Sequence, residues 1–492
     1  MYLIRQNSFD IRCSTQDFGL ELQSQLSSLL EKSFYPQLEQ LLAKYDVPGT
    51  HWIVDELEVE LPDITKKYWK EELVQKALVQ IEDYLIRNSP KTELSIAELL
   101  GNDTYTIPSD KKTVLLLFGF LRNGYLQANA FSERIEKIMA AVIIDEDFVN
   151  QLSGLFESDL DALMRWIFST PEEYKVKILK FLPGTFNGGR FVQIILNHPA
   201  FQKGKEKNIV GKLFFNQKSI QQWQELIQWA DNLIRKGVSP QKLFSFLSQA
   251  MEKFWGISKA EMNLLFELVL HENTATDLKV DFFDAWQKQI QESINNEPLA
   301  TAIKGEIRLE QLLEQVQEGK AFPEETVFYV NNAGLVILHP FLPMLFEKLG
   351  LTGANEWLYE QAKQKAVLLT HYLVFGEREI EESQLVLNKI LCGLPIEEVI
   401  NTRLVLETED KEKCHSLLEA VLEHWTIMRN SSKEALQETF LQREGKLEIQ
   451  MNGFEMWMEE KGYDILLGQL PWGIGTIKTP WMESYLTCNW NQ

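Results

Sequence analysis

The chain has 492 residues, of which 45% are hydrophobic and 11% aromatic, and carries a formal net charge of -22. That length exceeds what one core usually serves, so two to four domains or an elongated array is expected, and the apolar content is too high for a disordered chain. The acidic balance without a basic stripe disfavours a nucleic-acid partner, and no apolar run approaches the ~18 residues that a membrane-spanning helix needs.

The opening Met1-Tyr2-Leu3-Ile4-Arg5-Gln6 lacks the basic start and apolar core of a signal peptide, so any export is expected to proceed by lysis or inside an assembled particle. Phe9, Ile11 and Cys13 alternate with Asp10 and Arg12, which predicts a half-buried strand. Ser14 or Thr15 then caps a helix with apolar positions at Phe18, Leu22, Leu26, Leu29, Leu30 and Phe34. Pro48-Gly49 closes a turn. Leu57, Val59 and Leu61 alternate with Glu56, Glu58 and Glu60, predicting a second strand with one apolar and one acidic face. Those three carboxylates lack the Asp/Asn/Gly loop that gathers oxygens around calcium, so they read as a solvated face and not a metal site.

From Thr65 to about residue 320 the signal is helical. Trp69, Leu73, Ala77, Ile81, Tyr84 and Leu85 repeat at spacings of three and four, as do Trp223, Leu226, Ile227, Ala230 and Leu233. Prolines at 90, 108, 171, 183, 199, 240 and 298 punctuate the region, and uninterrupted heptads are missing. An irregular stack of short helices is expected, not one continuous rod.

The stretch Val330-Asn331-Asn332-Ala333-Gly334-Leu335-Val336-Ile337-Leu338-His339-Pro340-Phe341-Leu342-Pro343-Met344-Leu345-Phe346 joins a polar turn, an apolar run and two prolines. Asn331, Asn332 and Gly334 suit left-handed or turn conformations, while Leu335 to Leu338 is too short to be told from a buried helical turn. Pro340 is expected to push His339 out of the helical region, and Pro343 to sit in the first turn of a helix through Leu349. Farther on, Asn452-Gly453 signals a two-residue hairpin loop, setting Met451 opposite Phe454, Ile449 opposite Met456 and Leu447 opposite Met458, all on one face. That face needs another element to cover it.

No P-loop, G-x-G-x-x-G, G-x-S-x-G or HExxH pattern occurs, so no catalytic, cofactor-binding or metal-ligating residues are expected. His339 reads as a residue that fixes its turn by bonding a backbone group, with a pH switch or a ligand as the alternative role. Cysteines 13, 392, 414 and 488 have no C-x-x-C spacing and read as reduced core thiols. Trp472, Trp481 and Trp490 lie nine residues apart in a Gly- and Pro-rich tail, as anchors for this protein's own grooves or for a partner's.

The 330–346 stretch resembles the signature block of the tape measure proteins of contractile injection systems. So do Leu385-Val386-Leu387-Asn388-Lys389-Ile390-Leu391-Cys392-Gly393-Leu394-Pro395, Glu438-Thr439-Phe440-Leu441-Gln442-Arg443-Glu444-Gly445, and Leu470-Pro471-Trp472-Gly473-Ile474-Gly475 with Pro480-Trp481-Met482. Trp52-Ile53-Val54-Asp55-Glu56-Leu57-Glu58-Val59-Glu60-Leu61 resembles that family's first block, so the likeness covers about 1–90 and 325–492. It implies a structural ruler of tube length assembled in the cytoplasm, and retained or not in the finished particle. The implied partners are the inner tube protein, the baseplate hub or spike and the tube cap, with no cofactor, nucleic acid or membrane insertion. One helix of this length would span about 740 Å, and a fully extended chain roughly 1,600 to 1,800 Å.

The expected fold is mainly α with α+β ends. An N-terminal strand-helix-strand module occupies 1–90, an irregular multi-helix and length-setting middle 91–322, and a helical module with the hairpin and Trp-rich tail 323–492. Candidate partner-docking residues are Asn332, Gly334, His339, Pro340, Phe341, Pro343, Trp472, Trp481 and Trp490. The alternative is a globular adaptor or assembly chaperone that binds tube, hub or cap components without measuring. An effector enzyme, tested at His339, His371 or His424, is the third class.

Overall fold

The computed structural model describes residues 11–13, 15–45, 50–54, 57, 59, 61–62, 64–87, 104–126, 133–182, 217–272, 285–286, 288, 327–450 and 453–490. The chain divides into two compact units, 1–115 and 116–492.

In the first unit, α1 (Gln16–Leu29) runs through a π-helical turn at Leu30–Phe34 into α2 (Tyr35–Lys44). Thr15 holds the N-cap position with extended backbone, but its side chain makes no capping bond. Leu30, Phe34, Leu38 and Leu41 pack on Val74, Ala77, Ile81 and Leu85 of α3 (Trp69–Arg87), the three-and-four spacing having placed each set on one face. Two strands, β1 (Thr50–Val54) and β2 (Thr104–Pro108), pair antiparallel.

The first predicted strand is not formed over 11–13, which have no regular structure; Phe9 and Asp10 lie outside the described residues. The second is displaced. The ladder pairs Thr50–Val54 with β2, whereas Leu57, Val59 and Leu61 turn their half-buried side chains onto the helical core without a strand partner. Alternation alone reports which side is buried, and a helix pair satisfies it as well as a sheet does. Glu56, Glu58, Glu60 and the Pro48-Gly49 turn lie outside the described residues.

The second unit opens with α4 (Ser109–Asn123), whose first residues belong to the N-terminal unit, then α5 (Ile135–Ala141), α6 (Glu146–Ser158), α7 (Leu160–Ser169) and α8 (Glu172–Leu179). Helices α9 (Gln217–Arg235), α10 (Pro240–Trp255) and α11 (Lys259–Glu272) follow. Asp145 and Asp159 cap α6 and α7 with side-chain bonds to backbone N–H groups, and Pro240 opens α10. Most described residues of α9 from Gln222 to Leu233 are buried. Trp223, Leu226, Ile227, Trp229, Ala230 and Leu233 share that burial with Glu225, Asp231 and Asn232. The polar groups are bonded: Glu225 accepts from Trp166 Nε1 at 2.8 Å and pairs with Lys175 at 3.1 Å, and Asn232 Nδ2 donates to Ser153 at 3.2 Å. Burial pushes the Glu225 carboxyl pKa up while Lys175 holds it down. These helices pack side by side, as the proline-punctuated pattern predicts, with α9 against α6 and α7 and α10 against α11.

The remaining chain holds β3 (Val327–Val330), a 3-10 segment Ala333–Leu338, α12 (Leu342–Lys348) and a small hairpin of β4 (Thr352–Gly353) and β5 (Glu356–Trp357). Helices α13 (Glu360–Phe375), α14 (Val386–Leu391), α15 (Thr408–His424) and α16 (Lys433–Leu436) lead to β6 (Gly445–Gln450), β7 (Gly453–Met458), β8 (Thr476–Ile477) and β9 (Tyr485–Asn489). The sheet order is β3-β6-β7-β9-β8, antiparallel except where β9 lies parallel to β7.

The hairpin therefore exists inside a five-stranded sheet, and its register differs by two residues from the predicted one. Ile449 faces Phe454, Leu447 faces Met456 and Gly445 faces Met458. The apolar set stays on the same face, because a shift of two preserves the pleat. Gly453 pairs with Gln450 and so belongs to the ladder, at φ +152°. A Cβ there would stand 2.3 Å from the Tyr485 carbonyl oxygen, so the glycine admits β9 alongside. Met451 and Asn452 lie outside the described residues.

Among the described residues no helix is long and apolar enough to cross a membrane, and no cluster of His, Cys, Asp and Glu is arranged to hold a metal ion.

Candidate functional site

The segments that carry the family resemblance converge. Gly334, in the 330–346 stretch, lies against the backbone of the 438–445 stretch so closely that a Cβ would meet the Phe440 carbonyl oxygen at 1.7 Å. Ala333 N donates to Arg443 O at 2.9 Å alongside. Gly393, at φ +69°, admits the Trp481 carbonyl oxygen to 2.1 Å of where its Cβ would be, and Thr479 Oγ1 donates to Leu391 O at 2.8 Å. Asn332 Nδ2 donates to Asn388 Oδ1 at 2.7 Å, and Asn388 Nδ2 to Thr370 Oγ1 at 2.9 Å. Four pieces far apart in sequence thus form one core, closed by Leu335 to Leu338, Trp425 and Phe440, all fully buried.

Gly334 is needed for this close approach, not for a left-handed turn: it is absent from the positive-φ glycines, and Asn332 has φ -129° and ψ 26°. His339 is likewise helical, at φ -52° and ψ -36°, despite preceding Pro340. Its Nδ1 lies 2.8 Å from Val336 O, and burial of the Leu335–Leu338 turn beneath it outweighs the local bias. Burial lowers its pKa, with the Val336 bond opposing. Pro343 occupies the first turn of α12, as expected.

The three tail tryptophans pack on this same module. Trp472 Nε1 donates to Ile337 O at 2.9 Å, and its ring meets Phe341 edge-on at 5.0 Å. Trp481 lies 4.8 Å from Trp357 and 5.2 Å from Phe346. Trp490 Nε1 donates to Asp464 Oδ2 at 3.1 Å. Of the nine candidates, Asn332, Gly334 and Trp490 are buried, Pro340 is exposed, and His339, Phe341, Pro343, Trp472 and Trp481 are half-buried. Met344, 45% exposed, adds to the surface beside them.

Trp490 leads to a group that the sequence reading missed. Arg443 and Asp464, both fully buried, form two parallel bonds of 2.9 Å, and the guanidinium lies 5.2 Å from each of the Tyr463 and Trp490 rings. Asp464 also accepts from Lys461 N at 2.8 Å. A lone charge inside an apolar run, such as Lys389 among Leu385 to Cys392, or Asp464 between Tyr463 and Ile465, is the sequence signal that would have found these residues.

Cys392, Cys414 and Cys488 are buried thiols, as expected, whereas Cys13 is exposed. Burial pushes the Cys414 and Cys488 pKa values up to about 12 and Cys392 higher still, so all three stay protonated and inert as nucleophiles.

His371 is buried on α13 against Phe375, ring centroids 4.9 Å apart, and neither ring nitrogen reaches a partner in hydrogen-bonding geometry. Burial pushes its pKa down to about 4, opposed by the Arg378 backbone and aided by the Arg378 charge. Below its ordinary pKa of 6.5 the unfolded chain takes up a proton that the folded chain refuses until about 4, so this site makes stability fall with acidification across that window. The loss is on the order of 3 kcal/mol by pH 4. His371→Leu is expected to flatten that part of a plot of urea midpoint against pH, and an unchanged slope would show that other groups set it.

No curated protein and no solved structure matches the chain. The model of the contractile injection system tape measure proteins matches residues 1–490, nearly the full length and including the middle that the motif resemblance left uncovered. Given that match and the single core into which its signature segments fold, this chain belongs to the contractile injection system tape measure protein family.

Proposed function

We propose that the chain sets tube length with a division of labour: 1–90 and 323–492 are folded docking modules, and 91–322 is the length-setting segment. The observation that supports this reading is the convergence of the 330–346, 385–395, 438–445 and 470–482 segments into one core. Docking runs through Pro340, Phe341, Pro343 and Trp472, with Met344, His339 and Trp481 beside them, while the buried Asn332, Gly334 and Trp490 hold the module's fold. Its partners are the inner tube protein, the baseplate hub or spike and the tube cap. The work is done in the cytoplasm during assembly, and the chain contributes geometry and no catalysis.

In-frame deletions and duplications of helical segments between residues 110 and 300 test the ruler, with particle length read by electron microscopy. Tube length is expected to change in proportion to residue number, by about 1.5 Å per residue for a helical segment or about 3.3–3.6 Å for an extended one. Particles of constant length would establish the adaptor or chaperone role instead.

A further inference from the structure

The described helices between 116 and 272 pack on the 327–490 module, α10 against α13, and ion pairs cross the contact while the module keeps an apolar core of its own. Among the described residues that core contains none from 116–272, and Tyr125 is the one hydrophobic side chain of the region that packs on it, edge-on to Phe328 at 4.8 Å. In these ion pairs the helices supply the cations and the module the acids. Arg134 lies 2.5 Å from Glu381 and 3.7 Å from Glu379, Lys253 lies 2.7 Å from Glu398, and Arg165 lies 3.0 Å from Glu382. Other contacts grip helix ends by their backbone. Thr402 and Arg403 donate to Phe168 O at 2.9 and 3.0 Å, and Gln361 Nε2 donates to Lys253 O at 3.0 Å.

At the centre, Arg165, Glu382 and Lys389 are all fully buried. Glu382 Oε1 accepts from Arg165 Nε and, at 3.1 Å, from Lys389 Nζ, while Oε2 accepts from Ser169 at 3.3 Å. The rest of the guanidinium donates to the carbonyls of Leu121, Arg122 and Glu397, and Lys389 to that of Ile396 at 2.9 Å. Gly124, at φ +77°, leaves room for the group, since a Cβ would lie 2.9 Å from Glu382 Oε1. Burial lowers the Lys389 pKa, with Glu382 opposing it. Two cations on one carboxylate are a poor adhesive, because desolvation cancels most of their attraction, whereas leaving one of the three unpaired inside the contact is costly. Opening such an interface returns the charges to water, whereas parting a merged core would expose apolar surface.

We propose that this contact is a releasable latch: the 116–272 helices dock on the acidic face of the module in a stored state and leave it as the length-setting segment is deployed. Arg165, Glu382 and Lys389 fix the docked register. This inference rests on the reading of 91–322 as that segment.

Hydrogen exchange on the purified full chain tests it. Glu382→Gln leaves two buried cations without a counter-charge, and is expected to speed exchange of the Ile135 amide, which donates to Glu381 across the contact, by about 100-fold or more. The amides of β6, β7 and β9 should keep their protection. Loss of protection in both parts together, or in neither, would overturn the latch. The Arg165→Met/Glu382→Leu/Lys389→Met variant keeps the contact without charge. It should protect both parts at least as well as the parent while lowering the yield of full-length particles, and normal assembly from it would overturn release. A tube whose length ignores inserted residues would remove the ruler but leave the exchange results standing, so the two readings fail separately.

Discussion

Asp464→Ala is expected to lower the stability of the C-terminal module by about 3–5 kcal/mol, the usual effect of leaving one partner of a buried ion pair behind. Arg443 would lose both of its 2.9 Å bonds to the carboxylate while its own side chain stays fully buried. Its remaining acceptors, the carbonyls of Glu459 and Thr439 at 2.9 Å each, carry no net charge to offset it. Trp490 Nε1 and Lys461 N would lose their acceptor as well. The measurement is the urea unfolding curve followed by tryptophan fluorescence. Arg443→Met/Asp464→Leu should recover much of the loss, since removing both charges also removes their desolvation cost. If the single and double variants fall equally, the loss is one of packing and hydrogen bonding, and the charge argument is wrong.

Gly334→Ala is expected to cost about 3 kcal/mol or more, at the upper end of overpacking effects. The added methyl would meet backbone on the facing segment, the Phe440 carbonyl oxygen at 1.7 Å, its carbon at 2.7 Å and Leu441 Cα at 2.8 Å. A flexible side chain could move aside, but this backbone is held in a fully buried turn and bonded through Arg443 O to Ala333 N. The expected result is loss of cooperative unfolding in the module and failure of particle assembly. Gly473→Ala serves as the control, because nothing lies within 4 Å of its Cβ position and its φ is not positive. Equal stability of the two variants would show that the 330–346 and 438–445 segments have room to separate.

Local pattern was legible wherever burial followed a helical period. Trp69 to Leu85 and Trp223 to Leu233 form helices because their spacing gives each an apolar face, and the prolines divide the middle into short pieces. The hairpin was legible as a face, though not as a register, because the period of two is indifferent to a shift of two and Gly453 answers to β9. The strand position near residue 57 was misread for a related reason: alternation says which side is covered without saying by what. Strand β9 escaped notice because a parallel neighbour of β7 arrives from more than twenty residues away, with no local turn to announce it.

The sequence by itself determined the helical class, the absence of recognisable catalytic motifs, and, through quoted motif residues, the family. Only the tertiary structure decided what those residues are for. Gly334 and Gly393 are glycines because other backbones press on them, and Asn332, Arg443 and Lys389 are polar because Asn388, Asp464 and Glu382 wait across the core. Each reason is a contact between residues distant in the chain, and a one-dimensional pattern records the burial of a side chain but not the identity of the group that meets it.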